Sequence, residues 1–135
     1  MPDKPTLPLR LSPFASLVGL KAVADGTSKC YLDINETHFN VNGSVHGGVL
    51  SSLADVSMGW KIFEQLSAEE SVATLEMKIN YFIPVSSGTL IAEGTLLHRS
   101  RRLIIVETKI TCGELLVAKA TGTFYVVQTS ESAPA

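Results

Sequence analysis

The chain has one long stretch with helical periodicity, from about residue 47 to residue 66, and this stretch is apolar around most of its circumference. The apolar positions are Val49, Leu50, Leu53, Ala54, Val56, Trp60 and Phe63. A helix with this distribution must be buried on most sides. We therefore expect the rest of the chain to wrap around a single central helix.

After this helix the sequence alternates with period two, which is typical of β-strands. Ala73, Leu75, Met77, Ile79 and Tyr81 are predicted to face one way, and Thr74, Glu76, Lys78 and Asn80 the other. Three further strands are predicted over 89–98, 103–112 and 115–127. Gly94 and Gly122 lie inside strands, where glycine often marks a bend or close packing against another element.

The segment before the helix is predicted to form a short helix from Pro13 and then a hairpin. Asp25-Gly26 would supply the hairpin turn, and Cys30 and Leu32 alternate with polar neighbours. The order of two strands, one helix and four strands predicts an α+β fold, an antiparallel sheet wrapped around one helix. We expect one domain over residues 1–135, with a folded core at about 14–127.

Composition narrows the possible partners and the compartment. Hydrophobic residues make up 45% of the chain and charged residues 18%, so an extensive interface between subunits is expected. A net charge of −2 gives no reason to expect nucleic acid. Without a signal peptide or an apolar run of spanning length, we expect a cytoplasmic protein with no membrane partner. Cys30 and Cys112 form no metal-type pair, and we expect no cofactor.

Asp55 is the one acidic residue between His38 and Trp60. It shares a helical stripe of small and polar residues with Gly48, Ser52 and Gly59, along which a ligand or another chain could approach closely. Burying an unpaired carboxylate costs several kcal/mol. Asp55 therefore either lies at a surface or has a functional role.

A wider pattern around Asp55 resembles a known family. It consists of Asn40, Gly43, His46-Gly47-Gly48 and Asp55, followed by the strand ATLEMKINYFIPV. This pattern resembles the hotdog-fold acyl-CoA thioesterases of the PaaI-like type, over roughly residues 14–127. The resemblance implies a hotdog fold and a homo-oligomer, either a dimer or a tetramer built from dimers, with active sites at the dimer interface.

The resemblance also implies roles for individual residues. Asp55 would be the nucleophile or the general base, Gly47 would offer its backbone N–H to the oxyanion, and Asn40 would help to polarise the thioester carbonyl. Thr74 would orient the attacking water from the partner subunit. His46 would either take a side-chain role or shape the turn before the helix.

Further residues are predicted to bind the substrate, which is a CoA thioester. Gly48 and Ser52 lie on the small-residue stripe, and Arg99, Arg101 and Arg102 could hold the CoA phosphates. The acyl group of the substrate is expected to be either an aryl or a medium-chain fatty acyl group. Four large apolar residues could equally well line an acyl pocket or belong to the core, namely Trp60, Phe63, Met58 and Phe82.

Two other functions compete with thioester hydrolysis. The triplet His38-Phe39-Asn40 is similar to the HFP of hotdog dehydratases, but their catalytic glutamate position is occupied here by Ser52. The second alternative is a CoA-binding hotdog protein without turnover, which the presence of Asp55 disfavours. Stabilisation by CoA without hydrolysis would distinguish this binder from an enzyme.

Overall fold

The computed structural model describes residues 12–22 and 26–128. Its elements are α1 (Pro13–Val18), β1 (Lys21–Ala22), β2 (Lys29–Asp33), a 3₁₀ turn (Glu36–His38), α2 (Gly47–Phe63), β3 (Glu70–Tyr81), β4 (Thr89–Arg99), β5 (Leu103–Cys112) and β6 (Leu115–Gln128). The predicted order of elements is confirmed, although α2 is shorter than expected and the 3₁₀ turn was not predicted. The first residue of the predicted hairpin turn, Asp25, lies outside the described residues.

All six strands form one sheet in the order β1-β2-β4-β5-β6-β3, and every neighbouring pair is antiparallel. Helix α2 packs across one face of this sheet, mainly against β2, β4 and β5. This arrangement confirms the predicted α+β hotdog fold. Within the described ranges, no helix is long and apolar enough to cross a membrane.

The helix lies close to the sheet at the two strand glycines. A Cβ added to Gly94 would come within 3.0 Å of the Cβ of Lys61, and one added to Gly122 would come within 2.9 Å of Met58 Cε. Met58 is fully buried between helix and sheet. The prediction that these glycines mark close packing against another element is therefore confirmed.

Cys30 fills a buried position in the core, as its place in the apolar alternation predicts. Burial raises the pKa of its thiol to about 12, so the side chain stays protonated and behaves as a small apolar group. Cys112 is half-buried, and its thiol donates to the carbonyl of Ser87 over 3.6 Å.

Strand β3 contains a β-bulge that changes the predicted alternation. Thr74 pairs with Phe124 and Glu76 pairs with the preceding residue, Thr123, so Leu75 is an extra residue between them. A bulge shifts the side-chain phase of a strand by one residue. The prediction that Thr74 lies on the opposite face from Met77, Ile79 and Tyr81 is therefore wrong. Inner-face positions are 72 and 74 before the bulge, and 77, 79 and 81 after it.

Candidate active site

The carboxylate of Asp55 is held by a hydroxyl group from β3. Thr74 Oγ1 donates to Asp55 Oδ1 over 3.1 Å, and this contact is possible because the bulge at Leu75 turns Thr74 toward the helix. Asp55 is half-buried. This contact lies within one chain, and the expected role of Thr74 in orienting water from a partner subunit stays a prediction.

The first turn of α2 has one backbone donor with no partner in the part of the chain that the structure describes. The first four N–H groups of any helix lack intrahelical acceptors. Here the N–H of Gly48 donates to His46 Nδ1 over 2.9 Å, and those of Val49 and Leu50 donate to the His46 carbonyl. Within residues 12–22 and 26–128, the Gly47 N–H donates to no acceptor. It is therefore the donor that a ligand can use at this positive end of the helix.

His46 is the N-cap of α2, and its ring accepts a hydrogen bond from the helix. The backbone of His46 is extended, with φ −62° and ψ 139°, which is the usual conformation of an N-cap. The ring of His46 thus shapes the turn before the helix, and a catalytic role for His46 stays a prediction.

Asn40 organises the turn that leads into the helix. Its Oδ1 accepts from the backbone N–H groups of Asn42 and Ser44, and its Nδ2 donates to Ser44 Oγ over 3.1 Å. The side-chain carbonyl is thus occupied by local bonds, while the amide has two N–H groups and uses one of them here. Asn40 can offer its second N–H to a ligand.

Asn40 and Gly47 line the same cleft, which has a volume of about 300 Å³. Its other walls are mainly apolar and come from Val45, Leu50, Tyr81, Phe82, Ile83 and Pro84, with Ser44 at the rim. Tyr81 and Phe82 are 50% and 51% exposed, so two aromatic side chains stand open beside the Gly47 N–H. An uncharged group such as an acyl chain fits a cleft with this lining.

Two predicted binding residues of the stripe are occupied by bonds within the helix. Ser52 Oγ donates to the Gly48 carbonyl over 2.7 Å, while the Gly48 N–H is held by His46. Both backbone groups of Gly48 therefore have partners. Gly48 and Ser52 shape the exposed side of the helix.

Arg99 is tied to the end of α2. Its guanidinium donates to the Gln65 carbonyl over 2.8 Å and forms an ion pair with Glu70 at 3.1 Å. The backbone N–H of Ser67, followed by Arg99 and Gln128, holds the pKa of the Glu70 carboxyl below its usual value. Arg99 is thus engaged in a structural link between the helix end, β3 and β4.

Arg101 and Arg102 lie in the exposed turn between β4 and β5. Arg102 donates to Tyr125 Oη over 2.7 Å and lies over the ring of that tyrosine. The two arginines form a small depression together with Val126 and Gln128. This turn presents two guanidinium groups near the C-terminal end of α2, at the opposite end from Gly47.

The candidate residues therefore form two groups along one helix. Asn40, His46 and Gly47 lie at its start, while Asp55 lies eight residues after Gly47, with Thr74 of β3 beside it. At 1.5 Å per residue, the Gly47 N–H and Asp55 are about 12 Å apart along the helix axis. Within residues 12–22 and 26–128, no three His, Cys, Asp or Glu side chains lie close enough to hold a metal ion.

Tyr81 and Ser51 are the site residues that sequence reasoning missed. Tyr81 Oη donates to the Gly47 carbonyl over 3.1 Å and lies 2.5 Å from Ser51 Oγ. The available signal was the position of a tyrosine at the end of the predicted inner face of β3, but only the folded chain shows that it reaches the helix start.

Comparison with known proteins identifies related folds and sequences. The family model of the thioesterase superfamily matches residues 42–119. The structure of the conserved protein PA5202 from Pseudomonas aeruginosa superposes with a TM-score of 0.82 at 35% identity, and the match covers 91% of this chain and 100% of that chain. BH2602 from Bacillus halodurans, whose crystal structure was determined with CoA, gives a TM-score of 0.80 at 31% identity, over 87% of this chain and 77% of that chain.

A third match supports the fold. A mutant of the phenylacetic acid degradation protein PaaI from Thermus thermophilus gives a TM-score of 0.74 at 24% identity, over 84% of this chain and 98% of that chain.

Proposed function

Because the chain belongs to the thioesterase superfamily, we propose that it hydrolyses an acyl-CoA thioester to the free acid and CoA, with Asp55 driving the attack on the carbonyl. The observation that carries the proposal is the Asp55 carboxylate held by Thr74 on the open side of the helix. BH2602, the relative crystallised with CoA, supports CoA as the thiol component of the thioester substrate. The apolar cleft beside Gly47 suits an aryl or medium-chain acyl group.

In the proposed reaction, the thioester carbonyl oxygen accepts from the Gly47 N–H and from the free N–H of Asn40 Nδ2. Asp55 takes the proton of a water that attacks the carbonyl carbon, and the oxyanion that forms is stabilised by the donors at the helix start. The intermediate collapses by breaking the C–S bond, and the thiolate of CoA receives the proton from Asp55. In the covalent form of the mechanism, Asp55 itself attacks the carbon, the C–S bond breaks and the CoA thiolate leaves, and water then hydrolyses the mixed anhydride to the free acid and the Asp55 carboxylate.

A complete site requires two chains in this proposal. The distance of about 12 Å between the Gly47 N–H and Asp55 of one chain is too far for both to act on one carbonyl, whose attacking and accepting atoms lie about 3 Å from their partners. Strand β3 is the edge of the sheet, and its Leu75 is 58% exposed. An exposed edge of this length is a template for pairing with another chain. We infer a dimer through β3, in which Asp55 of one subunit faces Gly47 of the other, and tetramers made from such dimers.

Arg101 and Arg102 are the residues proposed to contact the CoA phosphates, because both lie in the exposed turn between β4 and β5. Replacing Arg101 by Ala should raise KM for a CoA thioester and leave KM unchanged for the matching pantetheine thioester, which lacks the nucleotide phosphates. Equal effects on both substrates would contradict this assignment.

The first experiment measures thiol release from a panel of aryl-, short-, medium- and long-chain acyl-CoAs by the wild type and by Asp55→Asn. We expect the wild type to hydrolyse one class and kcat to fall about 10²–10⁴-fold in the variant, because a positioned base is lost. Asp33→Asn is the matched control, since Asp33 also accepts from a threonine hydroxyl, that of Thr89, but lies on β2. If neither wild type nor variant hydrolyses any thioester, the proposal fails. Stabilisation by CoA would then favour the binding protein.

The two-chain site has its own test. Asp55→Asn and Gly47→Pro, which lacks the N–H, should each be nearly inactive alone. Co-expressed, they form mixed dimers in which one of the two sites carries both intact residues, so the mixture should recover about a quarter of wild-type activity. Activity no greater than the sum of the separate variants would show that the site does not combine two chains.

A further inference from the structure

The phenol of Tyr81 lies across the first turn of α2, where glycine leaves room for it. A Cβ added to Gly47 would come within 3.2 Å of Tyr81 Cζ and 3.3 Å of its Oη. Tyr81 is the last residue of β3, so this contact joins the end of the edge strand to the start of the helix. The hydroxyl donates to the Gly47 carbonyl and lies within hydrogen-bond distance of Ser51 Oγ.

These contacts hold both ends of one peptide group. The Gly47 carbonyl and the Gly48 N–H belong to the same peptide plane, which is rigid. Tyr81 Oη donates to the carbonyl over 3.1 Å, and His46 Nδ1 accepts from the N–H over 2.9 Å. The Gly47–Gly48 peptide is therefore fixed from two sides by side chains from different elements.

A fixed peptide matters here because two consecutive glycines begin the helix. Glycine has access to more backbone conformations than any other residue, so a Gly-Gly step at a helix end is prone to fray. The Gly47 N–H belongs to the preceding peptide, whose His46 carbonyl accepts from Val49 and Leu50. The backbone angles of Gly47 join that peptide to the Gly47–Gly48 peptide, so a shift of the second peptide tilts the N–H on the first. Within the described part of the chain, this N–H is the first-turn donor that has no partner. Stabilisation of an oxyanion depends on donors that are already oriented.

We propose that Tyr81 is a positioning residue that clamps the Gly47–Gly48 peptide and thereby orients the Gly47 N–H toward the carbonyl oxygen of the substrate. This inference rests on the proposed thioesterase function. Ser51 completes the arrangement, because its hydroxyl donates to Tyr81 Oη while Tyr81 donates to the Gly47 carbonyl. In this role Tyr81 has no contact with the reacting atoms and acts through Gly47.

The test compares Tyr81→Phe with Tyr31→Phe. Both changes remove one phenolic hydroxyl and keep the ring, but Tyr31 lies on β2, and its hydroxyl bonds to no group in the described part of the chain. Tyr81→Phe should lower kcat about 10- to 50-fold, less than the loss expected from removing an oxyanion donor, with KM changed less than about 2-fold. Amide hydrogen exchange at Gly48 should become about 3- to 10-fold faster. Tyr31→Phe should leave kcat, KM and the amide exchange rate of Gly48 unchanged.

Two results would overturn the inference. An unchanged kcat would show that the hydroxyl does not orient the donor. A raised KM with an unchanged kcat would show that Tyr81 binds the substrate directly. If the wild type hydrolyses no thioester, the proposed function fails, and the exchange rate of Gly48 alone then decides whether Tyr81 holds the peptide.

Discussion

Replacing Gly47 by proline removes a single hydrogen atom from the proposed oxyanion site, namely the backbone N–H. Proline is well tolerated at the first position of a helix, where the N–H has no intrahelical acceptor. The residue before it must be extended, and His46 already has ψ 139°. The bonds of Gly48, Val49 and Leu50 to His46 do not involve the Gly47 nitrogen.

The expected loss is large in activity and small in stability. Losing one oxyanion donor costs about 3–4 kcal/mol in the transition state, so kcat of Gly47→Pro should fall about 10²–10³-fold. The new side chain crowds Tyr81, whose ring is 3.2 Å from the added Cβ, but this ring is 50% exposed and can yield. The lower entropy of the unfolded chain offsets part of that cost, so the free energy of unfolding should change by less than about 1 kcal/mol.

Gly47→Ala separates the two effects, because it adds the same Cβ and keeps the N–H. Steady-state kinetics on the substrate found with the acyl-CoA panel should give a kcat for Gly47→Ala between those of wild type and Gly47→Pro. Urea unfolding of all three proteins confirms that they are folded. Equal kcat values for the alanine and proline variants would refute the reasoning, since the N–H would then have no part in catalysis.

Three further outcomes are expected. Thr74→Val removes the hydroxyl that holds Asp55 and should lower kcat about 3- to 10-fold, since the bond is solvent-exposed, while Thr74→Ser restores it; equal kcat in all three proteins would contradict the contact. Gly94→Ala places a methyl group 3.0 Å from the Cβ of Lys61 and pushes the helix away from the sheet, so it should lower the free energy of unfolding in urea by about 1–2 kcal/mol; a gain in stability would show that the helix is not closely packed there. Because the pKa of Glu70 is lowered in the folded protein, its ionised carboxylate contributes stability that is fully present above the ordinary pKa of 4.5 and is lost as the pH falls through the folded pKa. Glu70→Gln should therefore lose less stability than wild type between about pH 5 and pH 3, in acid titrations followed by circular dichroism. Parallel titration curves for the two proteins would refute this prediction.

The fold was predictable because burial determines it. A helix apolar on most sides and strands of period two leave few ways to cover apolar surface, and the glycines at 94 and 122 signalled where helix and sheet approach closely. The pattern around Asp55 also indicated the family, because asparagine, His-Gly-Gly and aspartate match in identity and spacing together.

The parts that could not be predicted depend on contacts between distant segments. The bulge at Leu75 is invisible in the alternation, because Ala73 and Thr74 are both acceptable on either face until the helix is in place. The ion pair of Arg99 with Glu70, 29 residues away in the sequence, is a second such contact. The bond from Tyr81 to Gly47 likewise spans 34 residues.

The bulge at Leu75 also shifts the side-chain alternation of the second half of β3 by one residue relative to the first half. The half before Leu75 presents Thr74 to Asp55, and the half after it presents Tyr81 to the helix start. Thr74 and Tyr81 are seven residues apart, an odd spacing that would put them on opposite faces of a regular strand, and the extra residue Leu75 lets both face the helix. Deleting Leu75 would leave a regular strand in which both still face inward. Replacing the bulge by regular pairing without changing the chain length, or adding a second extra residue between them, would turn one half outward. Either the carboxylate would lose its threonine or the glycine its tyrosine. An added residue between these two contacts is therefore expected to be more damaging than most substitutions.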